Sequence, residues 1–241
     1  MIHKDEPSSM VEEELKFSLP RLPQECAKLP SYEITQHYLD LNSYTLYVEI
    51  PKANDSFGRI VITGDSIAPL ILPFPATQWI SFINQLERVE GQPLLVMPCD
   101  PKNFSARLRV STKGGVDKFT LTIKRTVPNA TKGVDARVEL NVNIDPSFTW
   151  FVARWQMLNS HLKVSKQRYH FSSPSQPGVW EIDAFTHPNK AFIAEYELDP
   201  DSEEKHIPTP PDEWEAVNVA GVASFLNSEI ASNQKIPEHP K

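Results

Sequence analysis

Residues 11–17 read VEEELKF, which places Glu12, Glu14 and Lys16 at every second position. In a β-strand, residues i, i+2 and i+4 share one face, so a strand here would aim two carboxylates and an ammonium the same way. The spacing recurs along the chain: Arg107 with Arg109, Arg137 with Glu139 and then Asn141, Lys166 with Arg168, and Glu195 with Glu197. Lys124 and Asp183 are single charges inside otherwise apolar segments. Clustered cations suit a highly charged anion such as a triphosphate, which arginine grips in bidentate fashion and lysine meets as a point charge. Clustered carboxylates suit a hard divalent cation, and Mg²⁺ commonly bridges carboxylates to substrate phosphates. Together the two sets describe metal-assisted phosphoryl chemistry, performed by positioning and electrostatics.

Such residues need strands to hold them. FSARLRVST, DKFTLTIKRT and DARVELNVNI alternate polar and apolar residues between glycines and prolines, as antiparallel strands do. HLKVSKQRYHF, GVWEIDAF and AFIAEYELD follow the same rule, and VEEELKF and YEITQHYLDL precede them. Nearly every one carries charge on one face and Val, Leu, Ile or Phe on the other. Buried charges without partners cost several kcal/mol each, so an inward charged face must hold ion pairs or a ligand. A closed barrel of about eight strands encloses a lumen of that size. DPSFTWFVARWQMLN reads as a helix capped by Asp145 with Pro146 in its first turn. Trp150 and Trp155 are expected in its core-facing side. ATQWISFINQLERV and AGVASFLNSEIASN read as further helices, and residues 1–10 as a loose arm. The fold class expected is therefore α+β, a closed eight-stranded antiparallel barrel with flanking helices.

The bulk properties bound the function. The chain has 241 residues, and a formal net charge of −7 gives no general attraction to nucleic acid or to anionic membrane. Its two cysteines, Cys26 and Cys99, have no metal-binding spacing and suit a reducing, cytoplasmic setting. No apolar run reaches the length of a membrane span, and the first ten residues lack the apolar core of a signal peptide. The seven histidines show no metal-ligand spacing.

In order along the chain, EEELK resembles the ExExK signature of the CYTH family, also called triphosphate tunnel metalloenzymes. ITQHYL is similar to that family's Q-x-Y-L strand, RLRV to its R-x-R strand, TLTIK to its T-x-K strand, RVEL to its R-x-E strand and KQRY to its K-x-R-Y strand. WEIDAF followed by AEYEL resembles its paired W-E-x-D-x-F and A-E-x-E-L strands, and PPDEWEAVNV its P-P-x-W ending. The resemblance spans 11–40 and 104–232 of a single tunnel domain, 1–241. It leaves 41–103 as an insertion, read either as a packed decoration or as a lid, a dimer interface or a site for a base or partner.

The resemblance implies a tunnel that binds triphosphates and requires Mg²⁺ or Mn²⁺. By position, Glu12, Glu14 and Glu197 would be metal ligands, with Glu139, Glu195 and Asp183 completing the acidic set. Lys16, Arg107, Arg109, Lys124, Arg137, Lys166 and Arg168 would hold phosphates, and Lys16 or Lys124 would orient or deprotonate the attacking water. Asn141 departs from the family, standing where many members have a second glutamate, which removes one negative charge from the metal site. The function expected is a metal-dependent hydrolase of inorganic tripolyphosphate or a small organic triphosphate. The alternatives are an adenylate cyclase of the same fold and a non-catalytic triphosphate or nucleotide binder. The partner expected is the small-molecule triphosphate, with no membrane and no long nucleic acid, and a homodimer is a further expectation.

Overall fold

A computed structural model describes residues 11–49, 57–75, 96–99, 102–126, 135–173, 178–198 and 207–240. The arm at 1–10 and the helix expected over 76–89 lie outside these residues. The larger sheet is antiparallel and contains β1 (Val11–Leu19), β2 (Ser31–Tyr38), β7 (Phe104–Lys113), β8 (Val116–Thr126), β9 (Asp135–Asn143), β10 (Lys163–Phe171), β11 (Trp180–His187), β12 (Ala191–Leu198) and β13 (Val217–Asn218). Their order is β12-β11-β10-β2-β7-β8-β9-β1-β13. The sheet thus has nine strands rather than the eight expected. The addition is β13, where Ser18 and Phe17 of β1 pair with Val217 and Asn218. β12 pairs a second time, with β1, from Glu13↔Leu198 to Leu19↔Phe192.

Tight turns hold several neighbours in register. Lys113 pairs with Val116 across Gly114 and Gly115, both at positive φ (59° and 79°). A two-residue hairpin turn of this hand needs positive φ at both positions, which glycine adopts without steric cost.

A second sheet covers one side of the first. It comprises β3 (Thr45–Glu49), β4 (Phe57–Gly64), β5 (Ile67–Pro75) and β6 (Val96–Pro98) in the order β5-β4-β3-β6. The proline-rich run 68–76 is therefore mostly strand. It is tolerated because β5 is an edge, where proline removes no ladder hydrogen bond. Leu46, Val48, Ile60, Ile62, Leu70, Leu72 and Phe74 project from this sheet into one cluster with Leu108, Leu121, Ile123, Val138 and Leu140 of β7–β9. Phe151, Val152 and Trp155 of α1 (Thr149–Leu158) join them. Among the described residues the apolar face of β7–β9 is thus covered by a sheet and one helix, where the sequence suggested helices alone. Asp145 does act as a cap, accepting from the Ser147 amide at 2.8 Å, but of a 3₁₀ turn that precedes α1. Trp155 is fully buried and donates its indole N–H to the His37 carbonyl at 2.9 Å, whereas Trp150 is 52% exposed and is no core residue.

The closing helix is shorter than expected, α2 (Asn227–Asn233). Phe225, Ile230, Ala231 and Ile236 of this C-terminal segment pack on Tyr38, Val164, Phe185 and Ile193. Those four share strand faces with Gln36, Lys166, Asp183 and Glu195 respectively, so the C-terminal segment covers one end of the charged face. Among the described residues no helix is long and apolar enough to cross a membrane.

Candidate functional site

Strand alternation brings the predicted charges together. On β1, Leu15, Phe17 and Leu19 pack outward with Trp180, Tyr196 and Trp214, so Glu14 and Lys16 face the other way. Across the β1–β12 ladder Lys16 stands opposite Glu195 and Glu14 opposite Glu197. Lys124 stands opposite Glu139, and Arg168 opposite Asp183.

These strands line a cavity of about 280 Å³. Its wall includes Arg107, Arg109, Lys124, Arg137 and Arg168, and also Glu14, Glu139, Glu195 and Glu197. Three expected residues are not on that wall. Lys16, Lys166 and Asp183 share the charged face but are buried beside the cavity, at 1%, 2% and 0% exposure. The Glu12 backbone stands opposite Arg137 on β9, and its side chain lies outside the description.

The buried groups are committed to one another. Asp183 accepts from Arg168 Nε at 2.6 Å and Nη2 at 2.6 Å, and also from Lys166 Nζ. Arg168 reaches Glu195 at 2.7 Å and also Glu181. The Lys16 ammonium lies 3.0 Å from Glu14 and 3.1 Å from Glu195. Burial lowers Lys166 to about 8 in spite of Asp183. Burial also opposes the Arg168 charge, but Asp183 and then Glu195 outweigh it and hold that guanidinium above its ordinary value. Burial raises Glu195, yet Lys16, Lys166 and Arg168 prevail and keep it well below the usual carboxylate range.

The cations on β7 differ. Arg107 and Arg109 have no carboxylate partner among the described residues. Arg107 donates to the Tyr38 hydroxyl at 3.4 Å, and the Nε atoms of both arginines are buried without a partner. Repulsion from Arg107, then burial and Arg168, lowers Arg109 to about 10. An anion in the cavity would remove that repulsion.

Metal ligands are less complete. Among the described residues no three His, Cys, Asp or Glu side chains converge. Asp183 and Glu195 have both oxygens engaged by cations, while Lys124 and Asn141, the latter at 3.3 Å, hold Glu139. Asn141 also accepts from Thr122 at 2.8 Å, so the residue in place of the family's glutamate is tied into the wall. Glu14 and Glu197 are the opposed pair on the wall. Glu14 also has cations beside it, Lys16 at 3.0 Å and Arg137 at 3.9 Å, but two carboxylates that stand opposite each other on the wall have the hard oxygen donors a divalent cation requires. The donor chemistry fits Mg²⁺ or Mn²⁺ there, with Glu12 on the same strand face.

Several wall residues went unpredicted. Glu181, Lys118, Thr120 and Asn143 also line the cavity. Strand parity marks all of them: Glu181 precedes Asp183 by two, Lys118 and Thr120 precede Lys124 by six and four, and Asn143 follows Asn141 by two. Asn227, at the start of α2, lines it as well, and nothing in the sequence signals it.

No family model matches this chain, and no curated protein matches it. Among solved structures it is similar to the inorganic triphosphatase NE1496, at 18% identity and a TM-score of 0.44, over 94% of this chain and 96% of that one. It is also similar to the PH1819 protein of Pyrococcus horikoshii OT3, at 14% identity and a TM-score of 0.38, over 94% of this chain and 92% of that one. By its strand motifs, and by the single charged face on which the fold gathers them, the chain resembles the CYTH family.

Proposed function

We propose that the chain is a metal-dependent hydrolase of a linear triphosphate, either inorganic tripolyphosphate or a small organic triphosphate. The observation that carries this reading is the Arg107–Arg109 pair, two guanidiniums without a carboxylate that repel each other on the wall of a cavity that Arg168 and Lys124 also line. A polyanion is the ligand that offsets such a pair. In this reading the ring of strand pairings, closed where β12 meets β1, encloses a tunnel, and the described strands β3–β6 of the insertion are a packed layer on its outside.

Arg107 and Arg109 grip phosphate oxygens, with Arg137 beside them. Lys124, on the wall, is the ammonium placed to neutralise the terminal phosphate or orient the attacking water. Lys16, Lys166 and Asp183, buried beside the cavity, are positioning residues: Lys16 holds Glu14 and Glu195, while Asp183 fixes Arg168. Glu14 and Glu197, with Glu12, would hold the Mg²⁺ or Mn²⁺, which when bound supplies positive charge and Lewis acidity at the phosphates. Hydrolysis consumes one water and divides a tripolyphosphate into orthophosphate and pyrophosphate.

The test incubates the protein with tripolyphosphate and with ATP, each with Mg²⁺ or Mn²⁺, and resolves the products by phosphorus NMR. Metal-dependent release of orthophosphate supports the reading. Cyclic nucleotide with pyrophosphate would replace it with a cyclase, and binding without turnover would replace it with a binding protein.

A further inference from the structure

We propose that Tyr32 and His170 form a binding site for the aromatic base of a nucleoside triphosphate, at the rim of the cavity. The inference rests on the triphosphate reading above and narrows its substrate class.

The rim follows from strand parity. Tyr32 shares a face of β2 with Gln36 and Tyr38, and His170 shares a face of β10 with Lys166 and Arg168. Arg168 is buried, and two residues further along the strand the His170 side chain is 51% exposed, so the inner wall meets solvent between them. In register, Arg168 stands opposite Tyr32 and His170 opposite Glu181. Arg168 and Glu181 both line the cavity. The phosphate-sized cavity and the ring pair are therefore immediate neighbours.

The pair is held as a unit. The Tyr32 hydroxyl lies 3.1 Å from His170 Nε2, and the ring centroids are 5.4 Å apart at 73°, an edge-to-face arrangement. His170 Nε2 also lies 3.3 Å from Glu181, whose other oxygen meets Arg168. The contacts run without interruption from the buried Arg168–Asp183 pair to the exposed His170 ring and the half-buried Tyr32 ring. The His170 side chain is half exposed, and rings prefer offset-stacked or edge-to-face contacts of the kind a base would add here. His170 Nδ1 has no protein partner among the described residues, so it can meet a ring nitrogen or an exocyclic amine. Inorganic tripolyphosphate has no group that uses either feature. Among the described residues that line this cavity none is aromatic, and Tyr38 and Phe104 line a separate pocket on the other side of Arg107, Lys124 and Arg137.

The test measures binding by calorimetry and kcat/KM for ATP and for tripolyphosphate, with Mg²⁺, in the wild type, Tyr32→Leu and His170→Ala. Loss of one stacked base is expected to weaken ATP binding and lower its kcat/KM by about tenfold, with tripolyphosphate unchanged. Equal losses for both ligands, or none for either, would overturn the proposal. If the wild type binds but turns over neither ligand, the hydrolase reading fails while the ratio of the two dissociation constants still decides the rim. Should Tyr32→Leu not fold, the exposed His170→Ala gives the same comparison, and Tyr32→Phe, which keeps the ring, is expected to keep most of the ATP preference.

Discussion

Arg107 and Arg109 share one face of β7 with no carboxylate between them, and Arg107 is the first cause of the lowered Arg109 guanidinium, at about 10. A wall built for folding alone would place an acid there, as it does beside Lys16, Lys124 and Arg168. The uncompensated pair is a feature that a bound polyanion makes favourable. Arg109→Ala is therefore expected to leave the ligand-free protein as stable as the wild type, or more so. The same change should weaken tripolyphosphate binding by about 10- to 100-fold, the range for losing a charge-assisted hydrogen bond. Calorimetric titration with thermal melting in parallel checks both halves, and unaltered binding would remove Arg109 from the phosphate site.

Asp183 behaves oppositely, since removing it harms the fold before it harms binding. Its two oxygens hold Arg168 and Lys166 at 0% exposure. Asp183→Asn keeps the shape but leaves two buried cations facing each other, which costs about 3–5 kcal/mol when one partner of a buried pair is removed. Urea unfolding of the variant should show a loss of that size, and a loss below about 1 kcal/mol would mean the network is open to water.

Much of this arrangement is legible in the sequence because strand parity is a two-state code. Glu14, Arg107, Glu139 and Glu195 share a face with their i±2 neighbours whatever the rest of the chain does. Parity reports the face, however, and not the depth. Lys16 and Arg109 have the same signature, yet one ammonium is locked between two carboxylates and the other cation stands on the wall without one. Depth depends on which strands are neighbours, and that is fixed by pairings as distant as β1 with β12. The second sheet is harder to read because Pro69, Pro73 and Pro75 look like breakers, and only an edge position makes them compatible with β5. Asn227 reaches the cavity through the packing of the whole C-terminal segment, which no local pattern encodes.

The opposed Glu14 and Glu197 carry the metal prediction. Glu14→Gln retains the side-chain shape and its neighbours Lys16 and Arg137 while removing a negative ligand. Metal-dependent turnover should fall by about 100-fold or more, given the several kcal/mol a catalytic metal contributes, with far-ultraviolet circular dichroism unchanged. A Mg²⁺ titration indistinguishable from the wild type would place the metal elsewhere.

Lys166 makes a prediction about pH. Burial on folding lowers its pKa from the ordinary value of 10.5 to about 8. The unfolded chain therefore binds a proton between those values that the folded chain does not, and stability from this group rises with pH across that window. The contribution is present above about 10.5 and lost as the pH falls through about 8. Lys166→Met removes the titration, so the stability of the wild type relative to the variant should climb between about pH 8 and pH 10. The slope expected is on the order of 1 kcal/mol for each step of one in pH, the linkage value for a single proton. A flat difference across that range would show that Lys166 titrates normally.

The second sheet gives the last prediction. Leu72 of β5 is 1% exposed and belongs to the same apolar cluster as Leu121 and Ile123, whose strand also carries Lys124 on its other face. If the insertion were an appendage, cutting a side chain from it would leave the larger sheet untouched. Because one cluster spans both sheets, Leu72→Ala is expected to cost about 2–5 kcal/mol, as buried leucine truncations do. The loss should appear in a single cooperative transition seen equally by tryptophan fluorescence and by circular dichroism. Trp155 lies in that cluster and Trp180 in another, so two separate transitions would show that the insertion unfolds on its own. A single transition would tie the stability of the second sheet to the wall that holds Arg107, Arg109 and Lys124.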